Sequence, residues 1–326
     1  MILRSFFVFL CAACVGTSES SQAPEPVPSP IPSSAIDAGD VSARPEVAPT
    51  RWMPGAGQDV IAIGDLHGDL AATIQALRLA GVIDVNRRWA GGETVVVQVG
   101  DQLDRGDDER AILDYFESLS DQAFAAGGRF FPLLGNHETM NVALDFRYVT
   151  PGGWTDFDDV MEGGDDRLTR GYEESQRGRV RAFRPGGPYA RILARHNAIM
   201  VVGDTVFAHG GVLPVHLSNG LENMNREIQA WMRGELPRPD FLSGDESMVW
   251  SRHFSADVDE QDCQLLERVL ADLGVARMVV AHTVQRQGIN AACGDKVWRI
   301  DVGMSAHYGG SIQALRIRGG RVEVLQ

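Results

Sequence analysis

Residues 100–106, GDQLDRG, set two carboxylates, Asp101 and Asp104, three residues apart, with a guanidinium beside the second and a glycine at each end. Such a cluster, placed directly after the apolar run TVVVQV, is costly to hold at a strand end unless it binds something. Four other segments repeat the device: DVIAIGDLHGD, RFFPLLGNHE, AIMVVGDTVFAHGG and RMVVAHT all pass from a short apolar run straight into polar residues. Collected, the five run ends present Asp65, His67, Asp101, Asp104, Asn136, His137, His209 and His282. A single aspartate at such a place is ordinary turn chemistry. Five ends that all supply metal-competent or acid–base groups are not.

Three histidines, two aspartates and an asparagine make a mixed nitrogen and oxygen donor set without thiolates. That set suits manganese, iron or zinc better than calcium or magnesium. Six candidates exceed one tetrahedral site, so they read as a site for two divalent transition-metal ions. One carboxylate, best assigned to Asp101, then bridges cations ~3.5 to 4 Å apart, as two-metal hydrolases require.

The elements that must position these groups are short strands, since apolar runs of this length bounded by glycine suit buried strands better than helices. Helices are expected between the early ones, over AATIQALRLAGV with Gly81 as its stop and over DERAILDYFESLSDQAFAAGG. Strands alternating with helices give an α/β class, with functional groups at the carboxyl ends of the strands. A β-rich second half is expected from KVWRIDVG and from ALRIRGGRVEVL, a hairpin around Gly319 and Gly320.

The formal net charge of −14 over 326 residues excludes an electrostatic nucleic-acid binder, which needs a concentrated basic face. Lys296 is the only lysine, so each arginine has to be argued by position. Residues 1–19 have the layout of a signal peptide: one early arginine, a short apolar run, then small and polar residues. LCAAC within it resembles a lipobox with Cys14 as the lipidated residue, and ordinary cleavage and lipid attachment to a membrane stay open. Either route exports the chain to the bacterial periplasm or envelope. Residues 20–57, rich in Pro, Ser and Ala, read as an unfolded tether, and residues 58–326 as the catalytic domain. Cys263 and Cys293 could pair in an oxidising compartment or stand as two separate thiols. Oligomeric state is not legible.

The motifs GDLHG (64–68), GDQLDRG (100–106), GNHE (135–138), HGG (209–211) and VVAHT (279–283), in this order, resemble the calcineurin-like metallophosphoesterases of the phosphoprotein phosphatase superfamily. GNHETMN with FRYVTP, and RAFRPGGPYA leading into VFAHGG, resemble the bacterial Shewanella-like branch. The resemblance covers about residues 59 to 310 and implies a central β-sandwich flanked by helices. It implies Asp65 and His67 on one metal, Asp101 bridging, and Asn136, His209 and His282 on the other. It also implies His137 as general acid oriented by Asp104, with Arg105 and Arg252, the latter from MVWSRHF, gripping phosphoryl oxygens. Where eukaryotic relatives place an aromatic residue, this chain has SAHYGG, so Tyr308 or His307 could fill that place beside the substrate.

The chemistry of the residues agrees. Two cations lower the pKa of a shared water from about 15.7 toward ~7 and so supply hydroxide for attack on phosphorus. A histidine next to a metal-binding asparagine is placed to protonate the leaving oxygen, and a guanidinium matches phosphoryl oxygens. His196, His216 and His253 lie outside the run ends and read as ordinary hydrogen-bonded histidines; the acidic run TDFDDVMEGGDDRL reads as a solvated loop. The region around 144–190 could form a lid. The function expected is a phosphomonoesterase acting on phosphoprotein, at Ser/Thr or Tyr, or on a small phosphoester. The alternatives are a dinucleoside polyphosphate or nucleotide phosphohydrolase of the same superfamily and a catalytically silent binding protein displayed on the envelope.

Overall fold

A computed structural model describes residues 44–161 and 166–326. The signal peptide with Cys14, the tether as far as residue 43 and the middle of the acidic run lie outside the described residues. Residues 44–57, assigned to the tether by composition, lie on the folded body instead. Arg44 pairs with Glu117 at 2.7 Å, the Ala48 amide donates to Arg195 O at 3.3 Å, and Arg51 and Trp52 form a strand.

Among the described residues eleven strands carry the fold: β1 Arg51–Trp52, β2 Val60–Ile63, β3 Val95–Gln98, β4 Arg129–Pro132, β5 Ile199–Val202, β6 Thr205–Ala208, β7 Arg277–Val280, β8 Asn290–Ala292, β9 Val297–Arg299, β10 Ala314–Arg318 and β11 Arg321–Leu325. They form a six-stranded sheet in the order β1-β5-β6-β7-β9-β8 and a five-stranded sheet in the order β11-β10-β2-β3-β4. Val60, Ala62, Val95 and Val97 from one sheet pack with Met200, Val202, Phe207 and Val279 from the other. This is a sandwich core, and each such buried side chain contributes about 1.5–3 kcal/mol against the entropy of ordering the chain.

Strands β2, β3 and β4 run parallel to one another, and so do β6, β7 and β9. Parallel strands deliver their carboxyl ends to one edge, so each sheet brings three run ends together. Helices cover the outer faces. Glu109–Ala125 buries Ile112, Phe116, Leu119 and Ala123, spaced three and four apart, against its sheet. Leu70–Leu79 is capped by the Asp69 side chain, which accepts from Ala72 N at 2.8 Å, and the chain turns out of it at Gly81 with φ +71°.

The second half is less β-rich than its turn signals imply. Leu221–Met232 and Glu260–Leu273 are helices packed on the six-stranded sheet, the first through Leu221, Met224, Ile228 and Trp231 at helical spacing. Cys263 in the second helix is disulfide-bonded to Cys293 beyond β8, with 5.3 Å between the Cα atoms. Closing a separation of 30 residues contributes about 3 to 4 kcal/mol by constraining the unfolded chain. The region around 144–190 is no simple lid: Phe146, Phe157, Phe183 and Tyr189 are buried in the core.

Candidate metal centre

The backbone around the run ends is strained in a localised way. His67, Asp101, Asp104, Arg105 and His282 adopt φ of +48°, +55°, +65°, +71° and +68°. Residues with side chains seldom visit this region, and the conformation persists only where the surroundings over-determine it. Here they do. The Glu138 carboxylate accepts from the amides of Gly135, Asp101, Gln102 and Leu103 at 2.7, 2.8, 2.9 and 3.1 Å. It thereby ties GNHE to GDQLDRG. Gly106 serves close approach rather than a turn, since a Cβ there would lie 2.5 Å from the backbone of Gly68. Gly100 does both, with φ +89° and Gly135 N only 2.6 Å from where a Cβ would sit.

The six expected donors converge. Asp101 Oδ2 lies 3.1 Å from His209 Nε2 and 3.8 Å from His67 Nε2, while His67 Nε2 is 3.7 Å from Asp65 Oδ2. His209 Nε2 is 3.0 Å from Asn136 Oδ1 and 3.2 Å from His282 Nδ1. Carbonyls fix two of the rings: His67 Nδ1 donates to Leu103 O at 3.2 Å and His209 Nδ1 to Val99 O at 2.8 Å. Each ring therefore turns Nε2 toward the carboxylates, the outer-sphere arrangement that a metal-holding imidazole needs. Asp101 Oδ2 faces the Nε2 atoms of both His67 and His209 and stands where a bridge would.

The electrostatics point the same way. Burial, with Asp301 and Asp101 beside it, pushes the Asp65 carboxyl well above the usual range, and its Oδ1 is buried without a hydrogen-bond partner. Burial would also raise Asp101, but His209, His137 and His67 outweigh it and hold that carboxyl well below the usual range. Burial lowers His67 to about 3. Buried imidazoles facing crowded carboxylates, with Asp101 raising His209 against its burial, are a donor set that divalent cations satisfy, so the residues fit the metal chemistry.

His137 differs from the other rings. Its Nδ1 meets Asp104 Oδ2 at 2.5 Å rather than a carbonyl, and Asp104 Oδ1 accepts from Asn141 Nδ2 at 3.1 Å. Burial alone would lower its pKa, but the Asp101 and Asp104 carboxylates prevail and raise it to about 9. It stays protonated at neutral pH. Arg105 pairs with none of Asp107, Asp108 or Glu109; its guanidinium stacks on Tyr148 at 4.0 Å and its Nε is buried without a partner. Arg252 is exposed, with Nη1 3.4 Å from Thr283 Oγ1. Arg105, Arg252, Tyr148, Trp250 and Tyr308 line a cleft of about 100 Å³ that also contains Asp65, His67, Asp101, Asn136, His137 and His282. Tyr308 takes the inner place with its ring 5.2 Å from that of His67, while His307 is exposed. A larger depression of about 760 Å³ beside Pro49, Leu217 and Leu273 is lined by no histidine, so size does not locate the chemistry.

Three residues escape the motif-based expectation. Asp301 is buried, follows β9 and lines the same cleft; its segment WRIDVG sets a functional residue at a strand's carboxyl end, as the other five do. Tyr148 sits in FRYVTP without a spacing signal, and Glu138 works through backbone amides that sequence does not display. His196, His216 and His253 bond elsewhere, to Glu117 Oε1 (3.1 Å), the Leu213 amide (2.9 Å) and Asp262 Oδ1 (2.7 Å).

The model of the calcineurin-like phosphoesterase family matches residues 59–286. The chain is 41% identical over 298 residues to Shewanella-like protein phosphatase 2 of Arabidopsis thaliana, covering 82% of this chain and 76% of that protein. Shewanella-like protein phosphatase 1 of Plasmodium berghei (strain Anka) is 29% identical over 263 residues, 77% of this chain and 68% of that protein. The crystal structure of a cold-active protein-tyrosine phosphatase from a psychrophilic Shewanella species is similar, with a TM-score of 0.67 at 26% identity over 89% of this chain and 87% of that one. The family implies divalent metal ions, and the converging donors supply places for them. With motifs, sandwich and site in agreement, the chain belongs to the calcineurin-like phosphoesterase family of enzymes and, within it, to the Shewanella-like protein phosphatases.

Proposed function

We propose that the enzyme hydrolyses phosphomonoesters on proteins, with phosphotyrosine favoured over phosphoserine and phosphothreonine. The observation that carries this is the cleft itself: two arginines and two tyrosine rings, Tyr148 and Tyr308, around converging metal donors. A volume of about 100 Å³ suits a phosphoryl group, and the rings at its wall offer stacking surface to an aryl ester. The structurally similar Shewanella enzyme is named a protein-tyrosine phosphatase, which supports the same preference. A dinucleoside polyphosphate would need a longer basic track than Arg105 and Arg252 provide.

In this assignment Asp65 and His67 would hold one cation, Asn136, His209 and His282 the other, and Asp101 would serve both. When bound, the cations acidify water and neutralise phosphoryl charge; manganese, iron and zinc all match the donors. Asp104 accepts the Nδ1 proton of His137, so the imidazolium keeps its Nε2 proton for the departing oxygen. Arg105, held flat by Tyr148, presents a planar fork to the phosphoryl oxygens, and Arg252 reaches in from the rim. Lysine would supply charge without the fork, so Arg105→Lys is expected to weaken vanadate inhibition about tenfold at unchanged metal content. Unchanged vanadate affinity with a lowered Tm would make Arg105 a loop brace instead.

The test of the whole proposal is a panel of phosphotyrosine, phosphoserine and phosphothreonine peptides and dinucleoside polyphosphates on metal-loaded enzyme. The expected order has phosphotyrosine first by kcat/KM. A dinucleoside polyphosphate at the head of the order would overturn the proposal. We also propose export to the periplasm or envelope, which the Cys263–Cys293 disulfide supports because such bonds persist in oxidising compartments. Fractionation that finds the mature chain in the cytoplasm would contradict it, and the mass of the mature N-terminus separates a lipidated Cys14 from a plain cleavage.

A further inference from the structure

The helix Glu174–Phe183 carries the sequence ESQRGRVRAF, yet Arg179 within it is fully buried. A buried guanidinium is strongly unfavourable unless every donor is met. Arg179 meets them all. Nη1 and Nη2 grip the two oxygens of Glu109, Nη1 also donates to Gly153 O at 2.7 Å, and Nε and Nη2 donate to Asn141 Oδ1 at 3.1 and 2.8 Å. Nη2 further approaches Asp104 Oδ1 at 3.4 Å. Phe157 and Phe183 lie 5.2 and 5.0 Å from the guanidinium carbon and shut out water. The helix comes close enough because of Gly178, where a Cβ would lie 2.0 Å from Phe157 O.

Every partner of Arg179 except the Gly153 carbonyl leads to Asp104 or His137. Glu109 Oε1 accepts the Asp104 amide at 2.5 Å. Asn141 Nδ2 donates to Asp104 Oδ1 at 3.1 Å and to His137 O at 2.9 Å. One oxygen of Asp104 is thus held by Asn141 and Arg179, which leaves the other to face His137 Nδ1. Asp104 also has a left-handed backbone, with φ +65°, and needs such bracing.

We propose that Arg179 is a positioning residue for proton donation: it locks the carboxylate of Asp104 in the orientation that aims His137 at the leaving oxygen. The proposal rests on the reading of His137 as the acid. A group that acts through the acid matters most where the leaving group is poor, because a good leaving group departs with little protonation. A group that only braces the helix would affect all substrates alike.

The experiment compares 4-nitrophenyl phosphate with a phosphoserine peptide on full-length, metal-loaded enzyme, for Arg179→Lys alone and combined with His137→Asn. Arg179→Lys should forfeit part of the roughly 10²–10⁴-fold that general acid catalysis supplies, so it is expected to lower kcat about 10–100-fold for the peptide and by less than about 3-fold for the aryl ester. KM and metal content should hold. Added to His137→Asn, it should change nothing further, because the two act in one step. Equal slowing of both esters, or a full effect in the His137→Asn background, would overturn the positioning role. If His137→Asn alone shows no leaving-group dependence, the acid assignment falls and the role of Arg179 with it. Should Arg179→Lys fail to fold, Asn141→Ser removes the amide between Arg179 and Asp104 while leaving the pair with Glu109, and the same pattern is expected of it.

Discussion

Asp101→Asn is expected to bring bound metal below one equivalent per chain and to lower kcat by at least ~10³-fold, since hydroxide supply and charge neutralisation fail together. Asp101 Oδ2 lies 3.1 Å from His209 Nε2 and 3.8 Å from both His67 Nε2 and His137 Nε2. Among the described residues no other carboxylate lies this close to all three rings. The amide keeps the shape and can still accept the His137 amide, which donates to Asp101 Oδ1 at 3.1 Å, so the fold should survive. What would be lost is the negative charge that the proposed two cations would share. A variant with wild-type turnover and two metal equivalents would show that Asp101 bridges nothing.

His137→Asn is expected to behave in the opposite way, with metal content intact and turnover impaired. General acid catalysis is worth roughly 10² to 10⁴ in rate, so a phosphoserine peptide should slow by that factor and 4-nitrophenyl phosphate far less. The motive is geometric: the Nδ1 of His137 is held by the Asp104 carboxylate, where those of His67 and His209 meet backbone carbonyls, and its pKa of about 9 keeps it charged at neutral pH. Equal loss for the two esters would assign His137 to structure or to metal holding.

The strand ends were legible because each is a short apolar run that passes straight into a functional residue, a local pattern that parallel sheets turn into one edge. Asp301 had the same signature after WRI and could have been collected with the others. The helix Leu221–Met232 was also legible, through Leu221, Met224, Ile228 and Trp231 at helical spacing. Strand β1 was not: two residues inside a proline-rich stretch have no periodicity, and only their pairing with Val201 and Val202 makes them a strand. Nor was the bracing of Asp104. Residues 104, 109, 141 and 179 come from separate segments, and only the packed insertion brings them together. Arg179 looks in sequence like any arginine of a polar helix.

The central claim is that two cations act in one site. Its most direct measurement is titration of metal-free enzyme with manganese, iron or zinc, following activity and bound metal together by elemental analysis. The account predicts that activity plateaus at about two equivalents per chain and that a chelator reverses it. Full activity at one equivalent, or in metal-free protein, would contradict it.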